Sequence, residues 1–533
     1  MTISQRLSLR LCNLLAIVVL ALGWAAPATA QVTALKQAIA EAAAGDEAVA
    51  TFYLERAYGP IWLGAEDKTR RIALIEALRE APLHGLPGGV YDPEDVIARM
   101  RAARGPAALG ALEVSLTQTF LAYARDVQTG MLRPGAVDEE IKREVPLRDR
   151  GDLIAAFAEA DPAVFMASLP PASLEYSRLM KHKRRLEELS AQGGWGPTVP
   201  AKALERGNSG AAVVALRNRL IAMGHLHRTP TRTYDADIEE AVRRFQAASG
   251  LAEDGVAGAG TLAEMNKGVD TRLAQVHVAM ERERWINRPL GDRHIWVNLT
   301  DFSAQVRDHG VVTFQTRSVI GAHNSDRRSP EFSDEMDHMV INPSWYVPRS
   351  IATKEYLPKL QANPLAVGHL EITDVRGRRV NRAEVDFTQF STRNFPFDMR
   401  QPPSRSNALG LVKFMFPNKY NIYLHDTPHK SLFSREVRAF SHGCIRLNDP
   451  FDFAHALLAA QEEDPEGFFQ ATLRTGRETM VELETPVPVH LVYRTAVTTP
   501  TGEVHFRRDV YGRDARIWKA LEAEGVALSA PRG

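Results

Sequence analysis

The sequence predicts a multidomain α+β protein, in which a helical part and a small three-helix module precede a β-rich domain that carries an inserted cap or lid. Its 533 residues are enough for about three domains at roughly 100–200 residues each. Helical spacing of apolar residues dominates the first half, and short β-rich segments bounded by turn residues follow Gly291. Gly193, Gly194 and Gly196 mark a linker between the first two parts. This change of pattern along the chain predicts both the fold class and the domain order.

Residues 1–30 have the order of a secretory signal peptide. Arg6 and Arg10 precede an apolar run over 14–22, and Ala28-Thr29-Ala30 forms an A-x-A cleavage pattern. A membrane anchor is the alternative, but the apolar run is shorter than the roughly 20 residues that span a bilayer. We therefore expect cleavage after Ala30 and an exported mature chain without a membrane span.

Helical periodicity and turn residues divide the rest of the first half into three units. Residues 31–200 are predicted to form a helical scaffold domain, residues 201–268 a compact module, and residues 269–290 a connecting helix. The helices expected in the module cover 211–223, 236–248 and 261–266.

The β-rich domain is predicted over residues 291–500, and residues 501–533 are expected to add a C-terminal strand and helix. Residues 364–400 interrupt the domain with a long polar stretch. A stretch of this length is usually functional or mobile, so we interpret it as a cap or lid. The expected strands cover 294–299, 311–320, 337–341, 412–416, 421–424, 490–493 and 504–507, and the expected helices cover 350–360 and 450–461.

Charge and cysteine content exclude several classes of protein. The 65 basic residues balance 65 acidic ones, which argues against a surface that grips nucleic acid or anionic lipid. Two cysteines cannot form a disulfide framework or a cysteine-rich zinc site. Cys12 lies in the signal peptide, so the mature chain would keep the single thiol of Cys444. An unpaired thiol in an exported protein indicates a reactive role.

Cys444 lies in the run Ser441-His442-Gly443-Cys444, and a predicted strand upstream ends at His425. The reactive form of cysteine is the thiolate, whereas a free thiol with a pKa of about 8.5 is mostly protonated near neutrality. A histidine within reach can take that proton, and a group behind the histidine fixes its tautomer. Gly443 permits a close approach of the backbone, and the amide of Cys444 can face a developing oxyanion. The pattern predicts nucleophilic catalysis, in which the intervening loop brings His425 and Cys444 together.

Three other interpretations of this cysteine are weaker. A lone cysteine is most often a small buried apolar residue, but serine, histidine and glycine neighbours do not suit an apolar core. Zinc ligation by His425, His429, His442 and Cys444 is a minor alternative, because Pro428 prevents a helical ligand pair and no H-E-x-x-H occurs. A serine hydrolase would need a G-x-S-x-G turn, which the sequence lacks. We expect neither a metal nor another cofactor.

Apolar and turn residues recur through the module at 201–268 in an ordered spacing. This order resembles the small helical peptidoglycan-binding module found on many cell-wall enzymes, and a generic three-helix spacer is the alternative. The residues that carry the resemblance are Val213, Val214, Leu216, Leu220, Tyr234, Asp235, Ala241, Val242, Phe245, Gln246, Gly250, Leu251, Asp254, Gly255, Gly258 and Thr261.

A histidine at 425, 15 intervening residues and then S-H-G-C ending at Cys444 resemble the catalytic signature of the L,D-transpeptidases of bacterial cell walls, which have the YkuD-type fold. The run Ile341-Asn342-Pro343-Ser344-Trp345, residues 411–418 and the scaffold opening from Phe52 to Trp62 resemble the large periplasmic branch of that family. Ser329-Pro330 stands where relatives often have Thr-Pro, and we assign it no function.

The resemblance implies acyl transfer through a cysteine acyl-enzyme in the periplasm. Cys444 would attack the carbonyl that joins the L-centre of diaminopimelate to the terminal D-Ala of a peptidoglycan stem tetrapeptide. D-Ala would leave, and an amine of a neighbouring stem would resolve the thioester into a 3→3 crosslink. The implied partners are therefore a tetrapeptide donor and an acceptor stem, and a carbapenem could acylate Cys444.

The resemblance also implies roles for the residues near Cys444. His425 matches the general base of the family, and Asp426 would orient it through its backbone carbonyl. Tyr423 and the amides of Gly443 and Cys444 match the positions that stabilise the oxyanion.

Ser441 and His442 fit the supporting positions of the signature, and Arg446 stands where many relatives have Asn. Arg446 could pair with a substrate carboxylate, since guanidinium forks suit carboxylates. The same nucleophile used with water would make an L,D-carboxypeptidase, and with a protein amine it would attach a protein to the wall. A non-catalytic wall-binding scaffold is the alternative of another class, but a binding protein has no need of a histidine–cysteine pair.

Overall fold

The structure, a computed structural model, describes residues 26–528; for residues 26–32 and Ser325 it describes the backbone alone. The predicted signal peptide therefore lies mostly outside the described residues, and the first described helix begins at Ala26. Among the described helices, none combines the length and the apolar character needed to cross a bilayer. The predicted multidomain α+β class is confirmed, because helical units precede a β-rich domain.

The first unit is a helical scaffold, in which most helices share one apolar core and the last helix packs instead against the connecting helix (Val269–Trp285). Its helices are α1 (Ala26–Ala43), α2 (Glu47–Glu55), α3 (Lys68–Glu80), α4 (Pro93–Ala102), α5 (Gly105–Thr129), α6 (Pro134–Val137), α7 (Arg150–Glu159), α8 (Pro162–Ala167) and α9 (Leu174–Ala191). Capping side chains set several helix starts, because each accepts a backbone N–H of the first turn. These caps are Asp46 for α2, Asp92 for α4, Asp149 for α7, Asp161 for α8 and Ser173 for α9.

The small module contains three helices close to their predicted bounds. They are α10 (Ala211–Ala222), α11 (Ala236–Ser249) and α12 (Ala259–Met265). The side chain of Asp235 caps the start of α11, and Gly250 ends that helix in the left-handed region with φ +63°. Tyr234 and Phe245, two residues of the ordered spacing, lie in the buried core of the module.

A single helix, α13 (Val269–Trp285), joins the module to the β-rich domain and is shorter than the predicted 269–290. It packs between the scaffold and the C-terminal end of the chain, and every residue from Val276 to Trp285 is buried. Its buried charges are paired: Glu281 with Arg284 at 2.9 Å, and Arg282 with Glu331 at 3.4 Å. The helix is therefore a buried connection rather than an exposed linker, and we call α13 with its paired charges the joint.

The β-rich domain is built on one large sheet. The strands of the chain are β1 (Arg293–Asn298), β2 (Ser303–Asp308), β3 (Val311–Gly321), β4 (Phe332–Ile341), β5 (Trp345–Tyr346), β6 (Glu371–Thr373), β7 (Asp398–Gln401), β8 (Val412–Met415), β9 (Leu424–His425), β10 (Ala439–Ser441), β11 (Ile445–Leu447), β12 (Thr479–Val492), β13 (Ala496–Thr498) and β14 (Val504–Phe506). The nine-stranded sheet has the order β10-β3-β11-β9-β8-β4-β12-β1-β2, and β2 also pairs with β3, so the sheet closes on itself. The pairs β1/β12, β9/β11 and β3/β10 are parallel.

The cap is a folded unit with its own apolar core and its own three-stranded sheet, β5-β7-β6. Its helix begins as α14 (Arg349–Ile351), passes through a π-helical turn (Ala352–Tyr356) and continues as α15 (Leu357–Ala362). The packed unit extends beyond the predicted 364–400, because Trp345, Leu360 and Leu409 of the flanking segments complete its core.

Some elements of the β-rich domain differ from the sequence-based expectation. β12 begins at Thr479 rather than near 490, and β2 and α17 (Pro465–Arg474), which follows α16 (Pro450–Leu458), were not expected. The register of β12 shifts between Glu482 and Val487, and Pro486 and Pro488 lie near this irregularity. Because proline is typical of strand ends and bulges, the pattern of a long strand is hidden there.

The C-terminal end of the chain packs against the other units. The hairpin β13–β14 is followed by α18 (Arg513–Ala523), which packs on α13. Arg507, just after the hairpin, donates to the carbonyl of Ala248 in the module over 2.8 Å. The N–H of Ala252 donates to Glu436 over 3.0 Å, so the module also contacts the loop that runs between His425 and Cys444.

Candidate active site

Two parallel strands place the predicted histidine and cysteine on neighbouring segments of the sheet. In β9 and β11, Leu424 lies beside Ile445 and His425 lies beside Arg446. Leu424 and Ile445 are buried in the core of the domain, so His425 and Arg446 face the opposite side of the sheet by the two-residue period of a strand. Cys444 immediately precedes β11 and therefore lies at the end of this row.

Cys444 is a half-buried free thiol. Tyr423 lies next to Sγ, and Sγ lies 3.5 Å from the carbonyl oxygen of Asn421. Burial raises the pKa of Cys444 to about 11, although the neighbouring Tyr423 and the charge of Arg446 oppose this shift. Trp345 of the cap and Tyr423 pack in the same apolar core, which brings the cap close to the nucleophile.

His425 is buried, and a hydrogen bond to a backbone carbonyl fixes its ring. Its Nδ1 donates to the carbonyl oxygen of Asp426 over 2.5 Å, which leaves Nε2 as the nitrogen that can accept a proton. Burial lowers the pKa of His425 to about 3, and the charge of Arg446 adds to this effect. The carbonyls of Asp426 and Leu409 act in the other direction. His425 is therefore neutral, as a general base must be before it takes a proton.

The carboxylate of Asp426 stabilises the loop before β8. Its Oδ2 accepts from the N–H of Leu411 over 2.9 Å, and its Oδ1 pairs with Lys430 at 2.8 Å. Gly410 adopts φ +63°, and an added Cβ there would lie 2.2 Å from Asp426 Oδ2. The backbone carbonyl of Asp426 thus meets His425, while its side chain holds the surrounding loops.

Gly443 forms a sharp turn before the nucleophile. Its φ of +115° lies in the region that favours glycine, and an added Cβ would lie 3.1 Å from Ile422 Cδ1. Its carbonyl accepts a hydrogen bond from the hydroxyl of Ser329 over 2.6 Å. The peptide between Gly443 and Cys444 is therefore anchored to a distant part of the chain.

Ser441 and His442 support this turn from two sides. Ser441 is buried in β10, and its carbonyl accepts from the N–H of Ala322 over 2.8 Å. His442 is exposed, and its Nε2 lies 2.6 Å from an oxygen of Glu355 in the π-helical turn of the cap. The same oxygen accepts from Arg327 over 2.6 Å. Neither Ser441 nor His442 forms a hydrogen bond with the thiol among the described residues.

Arg446 brings an uncompensated positive charge to the site. Its Nε is buried, and within residues 26–528 nothing accepts a hydrogen bond from this atom. Lys413 of β8 lies on the other side of His425, since these two residues are register partners. Lys413 is half-buried, and burial lowers its pKa despite the opposing charge of Glu478. The sheet thus presents the row Lys413, His425 and Arg446, which suits an anionic group of a ligand.

Four residues near the site were not predicted as functional residues from the sequence. Trp345 and Glu355 come from the cap, whose distance from Cys444 along the chain hides their proximity. Lys413 could be found only from strand register. Ser329 had a signal, because Ser329-Pro330 matches the Thr-Pro position of the resembled family. Within the part of the chain that the structure describes, no cluster of His, Cys, Asp and Glu is arranged as a metal site.

Comparison with known families agrees with this architecture. Residues 292–489 match the L,D-transpeptidase catalytic domain of the YkuD family, residues 47–182 match a scaffold domain, and residues 209–265 match the model described as "Putative peptidoglycan binding domain". The chain therefore contains an L,D-transpeptidase catalytic domain joined to a scaffold domain and a peptidoglycan-binding domain. His425 and Cys444 fall within the matched catalytic domain.

A protein of Haemophilus influenzae named "Putative L,D-transpeptidase" is 32% identical over 246 residues, which are 45% of this chain and 48% of that protein. The match thus spans about half the length of this curated relative. Crystal structures of L,D-transpeptidases from Xylanimonas cellulosilytica and Stackebrandtia nassauensis are 16% and 13% identical, with TM-scores of 0.17 and 0.22. Each match covers 56% of this chain and 98% or 97% of the solved chain.

Proposed function

We propose that the protein is a peptidoglycan L,D-transpeptidase that forms 3→3 crosslinks through a thioester at Cys444. The observation that carries the proposal is that a neutral, carbonyl-anchored His425 and the free thiol of Cys444 lie on neighbouring strand segments within a matched L,D-transpeptidase domain, since Arg446, two residues after Cys444, is the register partner of His425. The donor is a stem tetrapeptide and the leaving group is D-Ala. The acceptor is the side-chain amine of diaminopimelate on a second stem.

The first half-reaction makes the thioester. Sγ of Cys444 adds to the carbonyl of the diaminopimelate L-centre while its proton moves to Nε2 of His425. The tetrahedral intermediate then expels D-Ala, whose amine takes that proton. Because the pKa of Cys444 is raised and that of His425 is lowered, the resting pair is a thiol and a neutral imidazole. The proton therefore moves during attack, as in general-base catalysis.

The second half-reaction forms the crosslink. The acceptor amine adds to the thioester carbonyl, His425 takes a proton from the amine, and the thiol of Cys444 leaves with a proton from His425. Both tetrahedral intermediates carry an oxyanion. The amides of Gly443 and Cys444 and the hydroxyl of Tyr423 are the donors assigned to this oxyanion, since Tyr423 lies next to Sγ.

Substrate binding is assigned to the row of cations beside His425. A stem tetrapeptide carries several carboxylates close to the scissile bond. Arg446 has a buried Nε without a partner among the described residues, and a substrate carboxylate would complete it. Lys413, on the other side of His425, offers a second positive charge.

The remaining parts of the chain fit the same function. The peptidoglycan-binding domain would hold wall material, and the predicted signal peptide would deliver the protein to the periplasm where that polymer lies. The cap would cover the donor, since Trp345 packs in one apolar core with Tyr423 and Glu355 forms a hydrogen bond with His442. We expect a carbapenem to acylate Cys444 as a substrate analogue.

The test is incubation of the mature chain with purified disaccharide-tetrapeptide, followed by mass spectrometry of the products. We expect 3→3 dimers together with one released D-Ala per crosslink, and no product from Cys444→Ala. Release of D-Ala with tripeptide alone would show an L,D-carboxypeptidase instead. Dimer formation by a folded Cys444→Ala variant would refute the thioester.

A further inference from the structure

Ser329 lies behind the nucleophile turn and is fully buried. Its hydroxyl donates to the carbonyl of Gly443 over 2.6 Å and accepts from the N–H of Gly321 over 2.9 Å. A serine hydroxyl that donates to one group and accepts from another has its rotation fixed by both partners. Ser329 therefore holds the carbonyl of the residue that precedes Cys444 in one orientation.

That orientation also determines where the Cys444 amide points. The carbonyl of Gly443 and the N–H of Cys444 belong to one planar trans peptide, so they point in opposite directions. Fixing the carbonyl on Ser329 aims the N–H at the other side of the turn. Gly443 can hold this peptide because glycine has no Cβ, so a φ of +115° causes no steric strain. An oxyanion donor is effective only when it is aimed before the reaction starts.

The C-terminal segment holds Ser329 on both sides of its backbone. Arg513 donates to the carbonyl of Ser329 over 2.8 Å, and the N–H of Ser329 donates to the hydroxyl of Tyr511 over 3.3 Å. The same hydroxyl donates to the carbonyl of Gly321 over 2.5 Å. Tyr511 and Arg513 lie beyond residues 292–489, the part of the chain that matches the catalytic domain.

Arg513 is itself held rigidly. It is fully buried, pairs with Glu331 at 3.1 Å and packs over the rings of Tyr511 and Tyr493 at 4.9 Å and 5.1 Å. A guanidinium that is paired and stacked in this way has little freedom to move. The contacts thus run without interruption from Arg513 and Tyr511 through Ser329 to Gly443.

We propose that Ser329 is a positioning residue for acyl transfer at Cys444, and that Tyr511 and Arg513 extend the catalytic unit by holding Ser329. Ser329 acts through the Gly443–Cys444 peptide, whose N–H it aims at the oxyanion. The proposal rests on the proposed function in one respect, namely that Cys444 is acylated.

Two reactions of the same thiol separate this role from a merely structural one. With iodoacetamide, Sγ displaces iodide and no oxyanion forms. With p-nitrophenyl acetate, Sγ adds to the ester carbonyl, an oxyanion forms, and p-nitrophenolate leaves as Cys444 becomes acetylated. The ratio of the acylation rate to the alkylation rate therefore reports oxyanion stabilisation, whereas general damage to the site lowers both rates.

We expect Ser329→Ala to lower this ratio at least tenfold, and by up to about 10²–10³, which is the effect of losing one oxyanion donor. Ser329→Thr keeps the hydroxyl and should keep most of the ratio. In the crosslinking reaction, Ser329→Ala should lower kcat and leave KM nearly unchanged. An unchanged ratio in folded Ser329→Ala, or an equal fall of both rates, would overturn the proposal.

Tyr511→Phe and Tyr234→Phe form a matched pair of variants. Both remove a buried hydroxyl that donates to the carbonyl of a glycine, but that of Tyr234 lies in the small module and bonds to Gly255 over 2.7 Å. Tyr511→Phe should lower the ratio and Tyr234→Phe should not, and this pair decides the matter if Ser329→Ala does not fold. Equal ratios in the two variants would then overturn the proposal.

The wild-type reactions keep this test separate from that of the proposed function. A wild-type protein that is acetylated by the ester but leaves tetrapeptide intact refutes the proposed function, while the ratios still decide the role of Ser329. A wild-type Cys444 that is alkylated but never acetylated overturns both.

Discussion

Two regions of the molecule contain buried charged side chains. The charges are paired in one region and unpaired in the other. At the joint formed by α13, Arg284 pairs with Glu281 at 2.9 Å and donates to the hydroxyl of Tyr176, and Glu281 also accepts from the N–H of Leu132. On the site face of the catalytic sheet, Arg446 forms no ion pair with a carboxylate among the described residues. Nε of Arg284 and Nε of Arg446 are both buried without a hydrogen-bond partner there, so the two regions differ in whether the charge is paired.

The difference teaches how to separate structural charges from binding charges. A buried charge without an opposite charge costs free energy, so a folded protein keeps one where something else gains from it. At the joint, the charges of Arg284 and Glu281 neutralise each other within the chain, between the scaffold and the catalytic domain. At the site, the missing partner of Arg446 is one that a carboxylate of the substrate would supply.

The largest expected effect is on the reaction rate, and it comes from a substitution that leaves the charges of both regions in place. His425→Gln removes the proposed general base, so the rate of Cys444 acylation by tetrapeptide should fall about 10²–10⁴-fold. Stopped-time mass spectrometry of the acyl-enzyme measures this rate. His429→Gln, an exposed histidine nearby in sequence, is the control and should react like the wild type. Equal rates for wild type and His425→Gln would remove His425 from the mechanism.

The second effect concerns the joint. Arg284→Met leaves Glu281 buried and unpaired, which should lower the free energy of unfolding by about 3–5 kcal/mol. Denaturant titration followed by circular dichroism measures the change. The double variant Glu281→Gln with Arg284→Met removes both charges and should recover part of the loss. If Arg284→Met unfolds at the wild-type denaturant concentration, the pair is not the structural contact described here.

The third effect is the matching change at the site. Arg446→Met should leave the unfolding free energy unchanged or slightly higher, because no pair is broken within the described chain. The KM for tetrapeptide donor should rise about 10- to 100-fold, since a hydrogen bond to a charged group contributes roughly 1.5–3 kcal/mol.

A donor with amidated carboxylates is the control for this variant. The wild type should lose affinity for the amidated donor, and Arg446→Met should lose nothing further when the carboxylate that Arg446 binds is absent. If Arg446→Met kept the wild-type KM but lost stability, the charge of Arg446 would have a structural role like that of Arg284.

The sequence predicted the domain order and the location of the candidate site better than it predicted the surroundings of that site. The histidine-to-cysteine spacing pointed to His425 and Cys444, which lie on neighbouring strand segments, because both belong to one local signature. The partner of His425 also lies nearby in sequence, and Nδ1 indeed donates to the carbonyl of Asp426. Such contacts are predictable because the chain has little freedom over one or two residues.

Contacts between distant segments could not be predicted in this way. The hydroxyl of Ser329 reaches Gly443 only because β3 and β10 pair, and Arg513 reaches Ser329 only because the C-terminal segment packs behind the sheet. The cap appeared as a polar stretch, since its core residues are widely spaced within it and the rest of its core comes from the flanking segments. Pairing of distant strands and packing of separate units depend on the whole fold, and neither leaves a local pattern.

The smallest expected effect is that of the Arg446 charge on the pKa of Cys444. Burial raises the pKa of Cys444 from the ordinary 9.0 to about 11, and the nearby Arg446 charge acts against this rise. The alkylation rate of the mature chain by iodoacetamide should therefore increase with pH around a midpoint near 11. Arg446→Met should move the midpoint higher, because a positive charge favours the thiolate. Arg284→Met, where it remains folded, should leave the midpoint in place, since its charge belongs to the joint. A midpoint near 9.0 in the wild type would show that water solvates the thiol, and a downward shift in Arg446→Met would contradict the placement of its charge beside Cys444.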